Sequence, residues 1–420
     1  MKLILSHPMG NNFSRALAYQ LFEEKKLFDY YTSFATFENS LLYKLGGLAP
    51  FADIRRRCYK KPLKPYVRTS PIYEIARLLS LKLGLSELTK HETGLFCVDS
   101  VYQRIDKLAA AGLASARKNG VNGIYAYEDG ALESFKKAKS EGLTCVYDLP
   151  IAYWKVGRKL MAEESERLPA WSQTIGGGIH DSLAKLEKKD DELRLADIVV
   201  TPSDFVVDTL PDFARTKKIV VSPFGSPVTT YDGLRNERSR QTPLRVLFAG
   251  SMGQRKGLSD LFAAINLLKG QTVELVVMGN LLAPVEFYRS ELPHFSYEPG
   301  RAHDKVLELM RSCDVFCLPS IVEGRALVMQ EAMSQGLPII ITPNTGGSDL
   351  IVDGKTGFLV PIRSPHAIAE KINWFIENRD AIPEMRRWAQ LRAAEYTWND
   401  YSERIITSIA DFITSQNCYI

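Results

Sequence analysis

The sequence has no long hydrophobic run. No uninterrupted apolar stretch approaches the roughly 18 residues of a membrane-spanning helix, which excludes a transmembrane enzyme. The apolar stretch in MKLILSHPMG is only about four residues long, too short for a signal-peptide core. Cysteine is sparse: six residues lie at 58, 97, 145, 313, 317 and 418. No pair has tight zinc-ligand spacing, and Cys313 and Cys317 merely flank the run Asp314-Val315-Phe316, so buried thiols in a reducing compartment are expected. Charge of one sign is lacking too, since the net charge is only +4, which argues against a dedicated nucleic-acid binder. No Asp-x-Asp motif stands at a strand end to hold a metal. No Gly-x-Gly-x-x-Gly follows a strand, which disfavours a dinucleotide-dependent oxidoreductase. The expected location is the cytoplasm.

What is present is enough apolar sequence for two cores. The 420 residues are 45% hydrophobic and 24% charged, ordinary for a soluble globular chain. Short apolar runs alternate with helical patterns. KLILS (2–6) precedes a turn (HPMGNN) and an amphipathic segment from Phe13 to about Glu24. GIYAY (123–127), TCVYDLP (144–150), ADIVVTPS (196–203) and KIVVSPFG (218–225) follow as strands. A polar stretch with proline at both ends, PVTTYDGLRNERSRQTP, breaks the rhythm and reads as a linker. A second alternation then begins with LRVLFAG (244–250), VELVVMG (273–279), DVFCLPS (314–320) and PIIIT (338–342). These near-continuous Val/Ile/Leu runs suit parallel sheets covered on both faces. The expected organisation is an α/β domain over 1–222, a linker over 223–243, a second α/β domain over 244–397, and a terminal helix over 398–420.

The segment from Glu323 to Glu331 reads EGRALVMQE, after the strand DVFCLPS. It leads through a small-residue helix to Gly-Leu-Pro, a strand, Gly346-Gly347 and the sequence Asp353-Gly-Lys-Thr-Gly. This series resembles the donor-site signature of glycosyltransferase family 4. ELRLADIVVTPSDF (192–205) and TWNDYSERI (397–405) look like the same family. The resemblance implies the GT-B fold, two Rossmann-like doubly wound domains facing across a cleft, with the terminal helix packed back on the first. It also implies a retaining transfer from a nucleotide diphosphate sugar of UDP or GDP type, of hexosyltransferase type, with no metal and no separate cofactor.

The residues suit that chemistry. Glu323 stands just before a helix, where its carboxylate can accept hydrogen bonds from sugar hydroxyls, and Gly324 admits close backbone approach. The amides of Arg325, Ala326 and Leu327 are expected to be unpaired at the helix start and to form an anion site. By the resemblance, Glu331 holds the ribose hydroxyls. GSMGQRKG (250–257) sits between strand and helix, which puts Arg255 and Lys256 at the carboxyl end of a strand, where open α/β sheets bind ligands. A departing nucleoside diphosphate gains negative charge, and without a metal cations must offset it. Many family members carry an arginine directly after this glycine, where this chain has Ser251, and Arg255 beside Lys256 can take that role. Gly10 resembles the glycine of the first domain's loop, which crosses the diphosphate in the family; His7 and Asn11 share that loop. Gly300, Arg301 and Ala302, before the helix of YEPGRAHDK, fall where the family contacts the nucleobase. Family members often have a histidine at the strand end that here reads Tyr147-Asp148. Asp148 then orients the acceptor hydroxyl, or serves as a capping or turn residue. The acidic run Asp190-Asp191-Glu192 reads as a solvated helix face.

IRRRCYKKPLKPYVR (54–68) carries Arg55, Arg56, Arg57, Lys60, Lys61, Lys64 and Arg68 with no acidic residue between them. Such a patch attracts anionic lipid heads. The expected partners are therefore a nucleotide-sugar donor, a glycan or lipid-linked acceptor in lipopolysaccharide, capsule or other surface polysaccharide synthesis, and an anionic membrane surface at the inner face, without nucleic acid. The alternatives are a catalytically silent protein that binds nucleotide sugars, and a nucleotide-sugar epimerase or phosphorylase on a similar fold.

Overall fold

A computed structural model describes residues 1–40, 43–44, 55, 57–176, 178–228 and 242–417. Arg56, Cys418 and residues 229–241 of the expected linker lie outside the described residues. Two parallel sheets form the frame. The first holds β1 (Leu3–Ser6), β2 (Leu27–Thr32), β5 (Val67–Thr69), β6 (Gly123–Tyr127), β7 (Thr144–Asp148), β8 (Ile198–Thr201) and β9 (Lys218–Val221), in the order β5-β2-β1-β6-β7-β8-β9. A two-stranded pair, β3 (Thr36–Phe37) with β4 (Cys58–Tyr59), lies apart. The second sheet holds β10 (Leu244–Ala249), β11 (Val273–Met278), β12 (Ser296–Glu298), β13 (Val315–Leu318), β14 (Ile339–Ile341) and β15 (Gly357–Leu359), in the order β12-β11-β10-β13-β14-β15.

In each sheet the chain winds outward from its first strand to one edge, then crosses back and builds the other side. That reversal falls between β1 and β6 in one sheet and between β10 and β13 in the other. Loops diverge at such a switch point and leave a crevice at the carboxyl ends of the strands. The loop after β1 (His7 to Asn11) and the loop after β10 (Gly250 to Gly257) therefore both occupy switch points. β1, β8, β13 and β14 are buried along their whole length. Their aliphatic composition follows from having helices on both faces.

The terminal helix Trp398–Asn417 lies against the first sheet. Tyr401, Ile405, Ile409 and Ile413 recur every four residues and pack with Leu3, Phe13, Leu17 and Leu21. Each buried isoleucine side chain contributes about 1.5–3 kcal/mol relative to exposure. The chain thus crosses between the sheets twice, before β10 and before this helix.

A third link comes from the helix Trp154–Arg167 and the turn after it. Arg167 grips Asp260 with two hydrogen bonds of 2.9 and 2.8 Å. Trp171 is buried in the core of the second sheet, beside Phe262, Phe287 and Tyr288. Ala152, Met161 and Ile175 form a small cluster with Ile321 and Val322. These contacts bring the two sheets' carboxyl edges together.

The acidic run Asp190-Asp191-Glu192 is not a solvated face. Only Asp191 is open to water; Glu192 is fully buried. Its carboxylate accepts hydrogen bonds from the amides of Asp129, Ala131 and Leu132 at 2.9, 3.1 and 3.2 Å. The Ala131 and Leu132 amides open the helix Leu132–Ser140, and Asp106 takes the next two, Glu133 and Ser134, at 2.7 and 2.9 Å. Burial pushes the Glu192 carboxyl up to about 8, against Lys188 and the Ala131 amide. Asp190 accepts from the Tyr153 hydroxyl and the Trp154 indole. A one-dimensional charge run hid a tertiary cap.

Candidate active site at the facing sheet edges

Glu323, Arg255 and Lys256 converge. Glu323 Oε1 lies 2.8 Å from Arg255 Nη1 and 2.5 Å from Lys256 Nζ. Burial pushes the Glu323 carboxyl up, but Lys256 and then Arg255 outweigh it and hold its pKa below the ordinary value. Burial and the Arg255 charge lower the Lys256 ammonium, against Glu323. The cluster sets two basic side chains against one carboxylate. An anion arriving here meets a net positive, largely desolvated site, where electrostatic interactions are strong.

The cations stand in a short 3-10 turn, Gln254–Lys256, ahead of the helix Leu258–Leu267. Backbone contacts fix that turn: Ile321 N donates to Arg255 O at 2.9 Å, and Arg255 Nη1 donates to Val322 O at 3.0 Å. Gln254 anchors it from the other side. Its amide nitrogen donates to Glu164 and Asp260 at 2.7 and 3.1 Å. Glu164 also takes Arg363 and Arg167. The loop after β10 is thereby tied to the helix Trp154–Arg167 of the first half.

Gly324 is the tightest point of the junction. A Cβ at this position would overlap Pro150 O, two residues after β7. Ser203 Oγ donates to Gly324 O at 2.6 Å. No side chain larger than hydrogen fits without parting the two edges. Arg325 turns its side chain inward. Its side chain is buried and donates to Gln330 Oε1 at 2.9 Å, Gly346 O at 2.9 Å and Asp349 Oδ1 at 2.7 Å. The expected row of free amides also needs correction, because Ala326 N donates to Thr345 O at 3.2 Å. Leu327 opens the helix Leu327–Ser334. The loop 343–349 folds onto the helix start and takes up that donor.

Glu331 lies about one turn into the same helix. His303 Nε2 sits 3.0 Å from Glu331 Oε1. The hydrogen bond to Glu331 raises the His303 pKa. Gly300, Arg301 and Ala302 are exposed immediately before His303, so the structure brings this stretch beside Glu331. Arg301 pairs with Glu298.

Gly10 and Asp148 stand in the first half and are not part of the Glu323 cluster. Gly10 has φ of +60°, and a Cβ there would overlap the Tyr59 hydroxyl. His7 Nδ1 accepts the amides of Met9 and Gly10 at 3.2 and 3.0 Å, so the ring proton resides on Nε2. Burial pulls the His7 pKa down to about 3. Nε2 is buried without a partner, as are Ser6 Oγ and Thr201 Oγ1, while Tyr125 stands close to both Asp148 and Tyr401 in the same enclosed group. Burial pushes the Asp148 carboxyl up to about 7; Tyr125 opposes this and Glu128 adds to it. Asp148 is 2% exposed, which leaves its carboxyl enclosed rather than lining an open surface.

Sequence reasoning missed Gln254, Ser203, His303 and Asn344. Asn344 O accepts the Glu323 amide at 3.1 Å, and its side chain donates to Ile321 O at 2.8 Å. Ser203 lies in the quoted stretch TPSDF, and Asn344 lies between PIIIT and Gly346-Gly347, which was the available signal. Gln254 and His303 only needed attention to the residues next to those chosen. For a metal, the described residues bring together His91, Glu92 and Asp181, with ligand atoms within 4.8 Å of one another. Lys185 stands 3.1 Å from Asp181 and already supplies the positive charge there.

The two sheets and their facing edges match solved GT-B proteins over nearly their whole length. Sucrose-phosphate synthase from Thermosynechococcus elongatus superposes with a TM-score of 0.65 at 15% identity, covering 99% of this chain and all of that one. HepE from Anabaena, solved in complex with UDP-glucose, gives 0.58 at 15% identity, with 98% of this chain and 100% of that chain covered. The fold is GT-B. Residues 234–393, the half that carries Glu323, Arg255 and Lys256, match the family described as glycosyl transferases group 1. A putative colanic acid biosynthesis glycosyltransferase of Escherichia coli K12, WcaL, is 26% identical over 229 residues, 51% of this chain and 55% of that protein. A capsular polysaccharide biosynthesis glycosyltransferase of Staphylococcus aureus, CapM, is 30% identical over 137 residues, 31% of this chain and 36% of that protein. The chain spans about half the length, or less, of these curated relatives.

Proposed function

We propose that the protein is a retaining glycosyltransferase that moves a hexosyl group from a nucleotide diphosphate sugar to a glycan acceptor in surface polysaccharide synthesis. The observation that carries the reading is the Glu323–Arg255–Lys256 cluster at a switch point, against the close contact of Gly324 with Pro150. Arg255 and Lys256 offset the charge that develops on the leaving diphosphate, which lowers the barrier because that charge is greatest in the transition state. Glu323 keeps the two cations in place before the donor arrives, then accepts hydroxyl hydrogen bonds from the sugar. Glu331, beside residues 300–302, accepts from the ribose hydroxyls, and these residues border the base. The Gly10 loop completes the diphosphate site from the first half. This arrangement needs no metal ion at the diphosphate. In this reading Asp148 orients the acceptor hydroxyl when the sheet edge opens to admit it. The names of the relatives support the polysaccharide assignment. The UDP-glucose complex of HepE supports a UDP-type donor, with GDP sugars the other class to test.

A panel of nucleotide sugars screened by thermal shift, with and without EDTA, tests the proposal on the wild type and on Glu323→Ala. A donor at a hundred times its Kd stabilises the native state by about 2.7 kcal/mol. The expected result is a selective shift that survives EDTA and shrinks in the variant. No shift with any nucleotide sugar sinks the reading. A shift without transfer to any glycan acceptor replaces it with a nucleotide-sugar-binding protein.

A further inference from the structure

Gln254 immediately precedes the two cations and is fully buried. Its side-chain nitrogen donates to Glu164 Oε2 and Asp260 Oδ2, and its Oε1 accepts the Ser259 amide at 3.2 Å. Its backbone amide donates to Thr174 Oγ1 at 3.1 Å, and its carbonyl accepts the Gly257 amide at 2.8 Å. A carboxamide can donate to two carboxylates and accept an amide at once, which neither Glu nor Met can do.

Glu164 and Thr174 belong to a segment that precedes β8 of the first sheet in the chain but packs on the second. Trp171 anchors that segment: it is 1% exposed in the second core, and its indole donates to Glu291 at 2.8 Å. Arg167 spans Glu164 and Asp260 at 2.6 and 2.8 Å, and Arg363 reaches Glu164 at 2.5 Å from beyond β15. Burial pushes the Glu164 carboxyl up, but hydrogen bonds from Arg167, Gln254 and Arg363 outweigh it and hold its pKa below the ordinary value. The bond from Gln254 is therefore charge-assisted. The turn itself has no slack. A Cβ at Gly253 would lie 2.7 Å from Thr174 O, and one at Gly257 would lie 2.0 Å from Pro319 O. Arg255 and Lys256 stand between those two glycines, with the brace on one side and the loop after β13 on the other.

We infer that Glu164 and Gln254 are positioning residues, which hold the turn so that Arg255 and Lys256 face the diphosphate of the donor. A segment ahead of the linker thereby sets the geometry of a site in the second half. It lies outside residues 234–393, the stretch that matches the family. Cations stabilise developing charge most when they are fixed before the ligand arrives, and a site held this way needs its supporting contacts. The inference rests on the sugar-transfer reading for its ligand and adds the residues that aim the cations.

Two variants approach the contact from its two sides. Gln254→Met keeps the chain length and removes both donors and the acceptor; Glu164→Gln removes the charge at constant shape. The quantity to measure is the diphosphate preference, the affinity for UDP over UMP or for GDP over GMP, by titration calorimetry. Each variant is expected to lower it about tenfold and to leave monophosphate affinity within about twofold. The double variant loses no more than the worse single, because both remove one contact. In the ligand-free protein, amide hydrogens of residues 252–257 are expected to exchange about tenfold faster in either variant. Should Gln254→Met fail to fold, Glu164→Gln carries the same test. A wild type indifferent to the second phosphate overturns the sugar-transfer reading and the inference with it. A wild-type preference that Glu164→Gln keeps, losses that multiply in the double variant, or unchanged exchange overturns the positioning role alone.

Discussion

The carboxyl edges of the two sheets use polar residues in opposite ways. The second edge gathers charge: Arg255 Nη1 and Lys256 Nζ both lie within 2.8 Å of the Glu323 carboxylate. The first edge gathers polar groups and disfavours their charged forms. Burial drives His7 down to about 3 and Asp148 up to about 7, and holds Tyr125 and Tyr401 well above the ordinary phenol. The physical difference is the presence of a counterion. Where opposite charges are built in together, burial does not neutralise them; where none is near, the group gives up its charge instead. On the proposed reading the charged edge takes the diphosphate and the other edge the hydroxyls.

The comparison is broken most directly at Glu323. Glu323→Gln leaves two unbalanced cations, and transfer is expected to fall by about two to three orders of magnitude in kcat. The check is release of nucleoside diphosphate in the presence of acceptor, on protein whose unfolding transition is recorded alongside. Retention of full kcat removes Glu323 from the machinery.

Next in size is Asp148. The folded protein holds its proton to about pH 7, whereas an unfolded chain releases it at about 3.9. Between those values the native state binds more protons, so rising pH lowers stability. Asp148→Asn is expected to flatten that decline and gain up to about 2–4 kcal/mol at pH 8. Denaturant unfolding across pH 4–8 measures it. A parallel decline in the variant places the titration elsewhere.

Gly324→Ala sharpens the comparison by pushing the edges apart at Pro150. A loss of about tenfold in kcat is expected, or about 1–3 kcal/mol of stability if the junction yields instead. Thermal unfolding and steady-state kinetics separate the two. The smallest effect belongs to His303. His303→Gln removes the pairing with Glu331, and the donor KM is expected to change by a few fold at most, since the histidine is exposed. The partner raises the folded pKa of His303. Its small stabilisation is therefore present below about pH 6.5 and lost as pH rises through the raised value. A pH series of donor binding in which wild type and variant run parallel rejects a role for the pair.

Much of the frame was legible. The strands GIYAY and LRVLFAG stand where the apolar runs put them, because a strand buried on both faces must be aliphatic along its length. The cluster of Glu323 with Arg255 and Lys256 joins residues picked from two distant motifs, and each motif was visible as a loop after a strand. Local pattern also misled. Glu192 looked solvated within a charged helix, although its carboxylate caps a helix some sixty residues earlier in the chain. Ala326 looked like an open amide until the loop 343–349 closed over it. The helix Ile72–Lys82 carries a plain amphipathic pattern, yet it buries Glu74 and Ser80 and leaves Ile72, Ile75 and Leu79 exposed, so pattern alone did not say which face is turned inward.

The sequence by itself determined the alternation of strands and helices, the two glycine loops at strand ends, and the residue types able to hold a sugar diphosphate. These depend on periodicity and on backbone freedom, both local properties. Only the tertiary structure decided which charges meet, which amides are already taken, and which side of a helix faces water. Those outcomes depend on desolvation and on partners distant in the chain, as when Gly324 meets Pro150 or Glu192 takes the Ala131 amide.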